Sequence, residues 1–143
     1  MKLPDANVLI YAIDADSRHH DAARRWLEAT LDGPDTVGFS WNVLLAVIRI
    51  GTNPSAFTAP LQVDEAVALV QGWLSAPTAT IAHPTARHAE ILGELLRAAG
   101  TAGNLTNDAH LAGLAIEYGG EVCSADRDFG RFPGLRWSDP LAD

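Results

Sequence analysis

The sequence contains a single cysteine, Cys123, so no disulfide can form within the chain. Its longest uninterrupted apolar run, Val43 to Ile48, is far shorter than the roughly 20 residues of a membrane helix. The first residues also lack the hydrophobic stretch of a signal peptide. These absences predict a soluble protein of the reducing cytoplasm, with no membrane segment.

Lysine and runs of basic residues are also scarce, and the formal net charge is −8 at pH 7. This balance argues at first against a nucleic-acid partner, because phosphate binding draws on basic residues and is weakened by carboxylates. The objection weakens because nine of the ten basic residues are arginine, which suits bidentate contacts with phosphate. It weakens further if some of the carboxylates surround a cation.

The length of 143 residues predicts one compact domain over residues 1–143. Apolar strands alternate along the chain with amphipathic helices. This alternation predicts an α/β fold in which helices flank both faces of a central parallel β-sheet. We predict strands at 1–4, 36–40, 78–82, 121–126 and 135–137, and helices at 7–11, 21–31, 41–50, 63–74, 86–99 and 108–118.

Three aspartates are predicted to meet at one edge of this sheet. Asp5 and Asp126 each follow a strand, and open α/β sheets place their ligand crevices at the carboxyl ends of strands. Asp108 lies in the first turn of a helix that Thr106 or Asn107 can cap, where the helix dipole favours a carboxylate. Such a group repels itself unless a divalent cation neutralises it, and oxygen ligands select magnesium, with manganese as a substitute.

Three blocks of residues resemble the signature blocks of PIN-domain ribonucleases, in particular the VapC toxins of toxin-antitoxin modules. They are Asp5 to Asn7, Asp108 to Ala112 and Ser124 to Phe129, in that order along the chain. The resemblance implies a PIN-like domain and a magnesium-dependent endoribonuclease whose catalytic and metal-binding residues are Asp5, Asp108 and Asp126. It also implies an RNA substrate, a cognate VapB-type antitoxin and a homodimer.

Further residues around these blocks are candidates for supporting roles. Asp128 is a possible additional metal-facing acid, and Asn7 is a possible supporting residue. Ser124 shares a strand face with Asp126 by the period of two, which makes it a possible donor to a metal-bound water. Arg127 and Arg131 lie at the margin of the predicted site and are candidates for contacts with the RNA backbone.

The helix at 41–50 departs from the family pattern. Similar toxins carry a glutamate in this helix that joins the acidic site, and its place here falls at Ala46, or at Leu44 in an alternative register. No acidic residue occurs between Asp35 and Asp64. Two-metal phosphoryl chemistry relies on several carboxylates at once, so the departure puts a second metal or full activity in question.

Two other functions therefore stay open. One is a catalytically weakened binding module that keeps the fold and the antitoxin interface. The other is a metal-dependent phosphatase or DNA nuclease that uses the same acids.

Three basic side chains are predicted to lie outside the chemistry. His88 and His110 are expected to be surface or half-buried residues, and the 100° turn per residue points His110 away from Asp108. Arg49 is interpreted first as a solvated charge at a helix end, and second as a contact for an RNA phosphate.

Overall fold

The fold is built on a five-stranded parallel sheet, in a computed structural model that describes residues 1–142. The strands lie in the order β3-β2-β1-β4-β5. They are β1 (Lys2–Pro4), β2 (Val37–Phe39), β3 (Ala79–Ile81), β4 (Glu121–Cys123) and β5 (Arg136–Ser138). The sequence predicted all five strands, and the α/β class with a parallel sheet is confirmed.

Six α-helices surround the sheet within residues 1–142. They are α1 (Ala6–Ile13), α2 (His20–Leu31), α3 (Trp41–Gly51), α4 (Val63–Leu74), α5 (His88–Ala99) and α6 (Thr106–Glu117). Two short 3₁₀ helices, Gly103–Leu105 and Arg127–Arg131, precede α6 and follow β4. Within residues 1–142, each helix falls short of the length and apolar character needed to cross a membrane.

The strand order fixes where a ligand crevice forms. From β1 the chain moves outward to β2 and β3, then returns to the other side of β1 to form β4 and β5. In open α/β sheets the crevice lies beyond the carboxyl ends of the strands at such a reversal, here between β1 and β4. Asp5 follows β1 and Ser124 follows β4, so both begin the loops that border this point.

The opening strand is central, whereas the sequence suggested a strand suited to a sheet edge. Pro4 has no N–H to donate, and β1 accordingly registers with β2 only through Lys2 and Val37. On its other side β1 registers with β4 over three residues, and the Asp5 N–H donates to the Cys123 carbonyl at 2.9 Å. Proline is tolerated in the middle of the sheet because it ends its strand.

Helix α6 is the most enclosed helix next to the site. Leu111, Ala112, Leu114 and Ala115 are buried, as the apolar pattern predicted. In the same core cluster, the Phe39 and Trp73 rings stack with their centroids 6.2 Å apart. The core thus holds α6, and with it Asp108, in a fixed position against the sheet.

Two helices, α3 and α6, start without a side-chain cap, one of them contrary to the prediction. Ser40 is the residue before α3, but it is buried and its side chain makes no capping hydrogen bond. Helix α6 begins at Thr106 directly after a 3₁₀ helix, so Leu105 takes the cap position with helical backbone angles. Side-chain capping requires an extended cap residue, and Thr106 and Asn107 lie inside the first turn instead.

The apolar residues of α4 are only partly buried. Val70 and Trp73 are buried, whereas Val67 is 38% exposed and Val63, at the start of the helix, is 68% exposed. The first turns of α4 therefore present an apolar surface to solvent.

Candidate metal centre

Asp5 is held at the carboxyl end of β1 by hydrogen bonds at both carboxylate oxygens. Its Oδ1 accepts from the Ala6 N–H at 2.7 Å, which caps α1, and its Oδ2 accepts from the Ser124 hydroxyl at 2.7 Å. Burial raises the pKa of the Asp5 carboxyl, and the nearby Asp126 raises it further, while the bonds from Ser124 and Ala6 oppose the shift. Asp5 is thus a rigidly oriented carboxylate in a poorly solvated position.

Ser124 connects three parts of this site and has no exposed surface. Its single O–H donates to Asp5, so its oxygen accepts from the Asn7 side-chain amide at 3.0 Å and from the Asp126 N–H at 3.0 Å. The Asn7 carbonyl oxygen in turn accepts from the Ala125 N–H at 3.3 Å. Ser124 therefore orients the Asp5 carboxylate through a direct hydrogen bond. The role predicted from the strand period was a different one, as a donor to a metal-bound water.

Strand β4 ends at Cys123, three residues earlier than predicted, and the chain then turns sharply. The Asp126 carboxylate causes part of this turn, because its Oδ1 accepts from the Asp128 N–H at 2.9 Å and caps the 3₁₀ helix. The turn brings Asp128 back beside Asp126. Carboxylate oxygens of Asp108, Asp126 and Asp128 all lie within 4.8 Å of one another.

The closest group of acids therefore differs by one member from the group predicted by sequence. Asp108 and Asp126 come together as predicted, and Asp128 completes the 4.8 Å group in place of Asp5. Asp5 lies at the same edge, since its charge acts on both Asp108 and Asp126. The result is a cluster of four carboxylates at one sheet edge, three of which lie within 4.8 Å of one another.

Burial and the charges of this cluster strongly raise the pKa of Asp108. Burial raises the pKa of its carboxyl to about 6, and the charges of Asp5, Asp126 and Asp128 add to the shift. Within residues 1–142, the ion pairs are Arg24–Glu28 and His88–Glu117, and neither includes an acid of the cluster. A dication bound among these carboxylates relieves that repulsion, and the all-oxygen donor set fits a hard cation.

A cleft of about 360 Å³ opens beside the cluster, between α3 and α6. Asp5 and Asp108 line it, together with Asn107 and His110 from α6 and a row of α3 residues: Asn42, Val43, Leu45, Ala46, Arg49 and Ile50. The Asn42 amide donates to Asn107 Oδ1 at 3.2 Å and joins the two helices at their first turns. The cleft gives a ligand access to Asp5 and Asp108.

A sequence model described as the PIN domain matches residues 2–135, nearly the whole chain. This chain belongs to the PIN domain family. Its relatives include ribonuclease VapC37 of Mycobacterium tuberculosis, 49% identical over 142 residues that cover 99% of each chain. Ribonuclease VapC33 of the same species is 38% identical over 143 residues and is covered completely, as is this chain. The predicted resemblance to the VapC group of PIN domains is confirmed.

Solved structures agree with this assignment. A chain in the VapBC2 complex of Rickettsia felis, bound to a DNA fragment from its promoter, is 25% identical with a TM-score of 0.69. The match covers 96% of this PIN domain and 97% of that chain. VapC20 of Mycobacterium tuberculosis, a toxin that cleaves the sarcin-ricin loop, shares the fold at 21% identity with a TM-score of 0.68, covering 95% and 99% of the two chains.

The structure distinguishes the two positions at which this PIN domain lacks the glutamate expected in α3. Leu44 is fully buried in the core, whereas Ala46 lines the acidic cleft. Only Ala46 is therefore placed to extend a side chain toward the cluster. The side chain at position 46 is a methyl group where similar toxins have a carboxylate. Asp128, on the 3₁₀ helix after β4, adds an acid to the cluster.

The two histidines form a connected pair that sequence reasoning missed. His110 lines the same cleft as Asp108, although the helical turn was expected to direct it away. His110 Nδ1 lies 2.9 Å from His88 Nε2, and His88 Nδ1 lies 2.5 Å from Glu117 Oε2. The contact joins residues 22 positions apart on two helices, so no local pattern signals it. Gly113 leaves space for it, because a Cβ there would meet the His88 ring at 3.1 Å.

Burial and the neighbouring His88 lower the pKa of His110, which therefore favours the neutral ring. Burial raises the pKa of Glu117, but hydrogen bonds from His88 and from the Thr85 hydroxyl and N–H outweigh it and leave the pKa lowered. Thr85, Glu117, His88 and His110 thus form one hydrogen-bonded chain that ends at the cleft wall.

The arginines predicted to contact RNA lie outside the cleft. Arg127 and Arg131 are exposed on the 3₁₀ helix after β4, and Arg131 donates to the Ala99 carbonyl at 3.5 Å. Neither belongs to the residues that line the cleft, whereas Arg49 does.

Ser124→Ala is expected to lower the free energy of unfolding by about 2 kcal/mol, because the Asp5 carboxylate, the Asn7 amide and the Asp126 N–H each lose a buried partner. Urea unfolding in the presence of chelator measures the change. Ser55→Ala is the matched control, since Ser55 is exposed and its hydroxyl makes no hydrogen bond within residues 1–142. Equal stability of the two variants would contradict the proposed role of Ser124.

Proposed function

We propose that this PIN domain is the toxin of a type II toxin-antitoxin module and acts as a metal-dependent endoribonuclease. The observation that carries the proposal is the cluster of Asp108, Asp126 and Asp128, with Asp5 at the same sheet edge, beside a cleft that Asp5 and Asp108 line. The VapC names of its relatives support the choice of RNA as substrate. A phosphodiester of RNA is the bond that we expect to be hydrolysed.

The cation that fits best is Mg²⁺, with Mn²⁺ as a substitute. The cluster offers only carboxylate oxygens, and Mg²⁺ is held in proteins by a few carboxylates and water. Asp108, Asp126 and Asp128 would hold it, and Asp5, which lines the cleft with Asp108, would add a fourth carboxylate at the same edge. When bound, the cation lowers the pKa of a water and stabilises negative charge on the phosphate.

The chain's own residues set up this chemistry. Ser124 and the Ala6 N–H fix the Asp5 carboxylate, so it cannot rotate away when the cluster is unneutralised. The Asp126 cap fixes the turn that carries Asp128. Asp5, Asp108 and Asp126 are the catalytic residues that we propose, and Asp128 adds the carboxylate that Ala46 does not supply.

The partners follow from the same assignment. We propose a cognate VapB-type antitoxin, as in the VapBC complexes among the structural neighbours, and a homodimer. Trp41 and Leu45 of α3 are 46% and 55% exposed, and they offer an apolar surface beside the cleft for a protein partner. The cytoplasm stays our predicted location.

A substrate panel tests the activity. Purified chain, freed of any antitoxin and supplied with Mn²⁺, is incubated with total RNA, with single-stranded DNA and with a small phosphate ester. We expect cleavage of RNA alone. Cleavage of DNA or of the ester at a comparable rate would favour the nuclease or phosphatase alternative, and no cleavage at any metal concentration would favour a binding module.

The effect of Ala46→Glu separates the ribonuclease from the binding module. Because Asp128 already completes a group of three carboxylates, we expect the variant to change RNA cleavage by less than about tenfold, or about 1.4 kcal/mol. Ala46→Gln is the matched control, with the same size and no charge. Cleavage that appears only in Ala46→Glu would mean that the natural chain lacks a necessary acid.

A further inference from the structure

Arg49 is the one permanently charged cation among the residues that line the cleft. It lies in the last turn of α3, is exposed, and lines the same cleft as Asp5 and Asp108. Within residues 1–142, the ion pairs are Arg24–Glu28 and His88–Glu117, and the Arg49 guanidinium makes neither an ion pair nor a hydrogen bond. Arg49 therefore has its full capacity to bind an anion.

Several other arginines are already engaged. Arg24 pairs with Glu28, Arg131 donates to the Ala99 carbonyl and Arg136 donates to the Gly119 carbonyl. A favourable interaction with the dipole of α3 explains a cation in the last turn, but not its place on the wall of an acidic cleft.

The α3 residues next to Arg49 offer no acid with which its guanidinium could pair. On a helix, an acid three or four residues away would pair with it, and the α3 residues at those distances are Ala46 and Leu45. Both line the cleft, and neither carries a charge. The α3 wall thus presents a guanidinium next to small and apolar side chains, opposite the carboxylates.

We propose that Arg49 forms a phosphate subsite that holds a nucleotide next to the one cut at the metal centre, an inference that rests on the proposed ribonuclease function. A guanidinium binds two oxygens of one phosphate at once, and a chain of net charge −8 needs such a local cation to retain RNA. Leu45 and Ile50 line the same wall and offer apolar contact to the attached nucleoside.

Three variants test the subsite. Arg49→Ala removes the charge, and Arg49→Lys keeps a charge at the helix end but loses the two-pronged geometry. Arg25→Ala is the matched control. Arg25 is exposed on α2, does not line the cleft and makes no ion pair or side-chain hydrogen bond within residues 1–142. Thermal unfolding of each variant checks that the fold is intact.

We expect Arg49→Ala to raise the KM for a short single-stranded RNA about tenfold with little change in kcat, and Arg49→Lys to recover only part of the loss. Binding of the same RNA, measured by fluorescence anisotropy with chelator present to prevent cleavage, should lose about 0.7 from its slope against log salt concentration. Arg25→Ala should change neither quantity. A helix-end role alone would alter thermal unfolding and leave both quantities unmoved.

The outcomes separate the two proposals. If the natural chain cleaves RNA and Arg49→Ala behaves like Arg25→Ala, the subsite is wrong and the ribonuclease function stands. If the natural chain cleaves no RNA, the proposed function fails and the anisotropy measurement decides the subsite. Equal affinity and equal salt slope for the natural chain and Arg49→Ala would then overturn it.

Discussion

Asp108→Asn is expected to lower RNA cleavage at least about 100-fold, the largest loss among the variants considered for this chain. Asp108 is a member of the close group of three carboxylates, and it also lines the cleft through which a substrate approaches. The amide keeps the size of the side chain but removes the charge that attracts a dication. Initial rates of RNA cleavage with saturating Mn²⁺ measure the effect.

The control for this variant is Asp16→Asn. Asp16 is exposed in the connector after α1, the helix that Asp5 caps at its other end. The same loss of charge there should leave the rate unchanged. A rate for Asp108→Asn within about threefold of the control would mean less than about 1 kcal/mol of transition-state stabilisation from Asp108, and would end its assignment as a metal ligand.

The same variant should be more stable than the natural chain when no metal is present. The pKa of Asp108 is about 6 in the folded chain, against an ordinary value of 3.8. A raised carboxyl pKa means that the folded state loses stability as the pH rises from about 4 to about 6 and stays lower at pH 7. Allowing for solvent screening, we expect Asp108→Asn to gain about 1 to 2 kcal/mol at pH 7 with chelator.

Removal of divalent metal should abolish cleavage, and Mn²⁺ or Mg²⁺ should restore it. Because a metal ion competes with protons for Asp108, we expect its apparent affinity to fall about tenfold for each pH unit below about 6 and to level off above that pH. Mn²⁺ titrations of cleavage between pH 5 and pH 8 measure this dependence. Full activity in excess chelator, or an affinity independent of pH, would contradict a metal bound by these carboxylates.

Much of the fold was predictable because local patterns determine it. The strand and helix positions follow from apolar periodicity and from breakers such as Gly100, whose left-handed backbone ends α5. The meeting of Asp5 with Asp126 follows from the carboxyl-end rule for parallel strands. These predictions need only which element a residue belongs to, and not its side-chain contacts.

The composition of the close acid group depends on contacts that no pattern encodes. The Asp126 carboxylate accepts a hydrogen bond from the Asp128 N–H, and the resulting turn brings Asp128 beside Asp126. The two-residue period of a strand cannot predict this arrangement, because β4 has already ended at Cys123. The link from His110 through His88 to Glu117 depends on the packing of α5 against α6 and on the missing side chain of Gly113. Such long-range arrangements require coordinates.

The contact between Asn42 and Asn107 sets a limit on the shape of a substrate. It ties α3 to α6 at their first turns, while Arg49 lies seven residues along α3, roughly 10 Å away. An RNA strand that runs along the whole cleft would have to break the hydrogen bond between Asn42 and Asn107, whereas an unpaired nucleotide that enters from the Arg49 side would leave it intact.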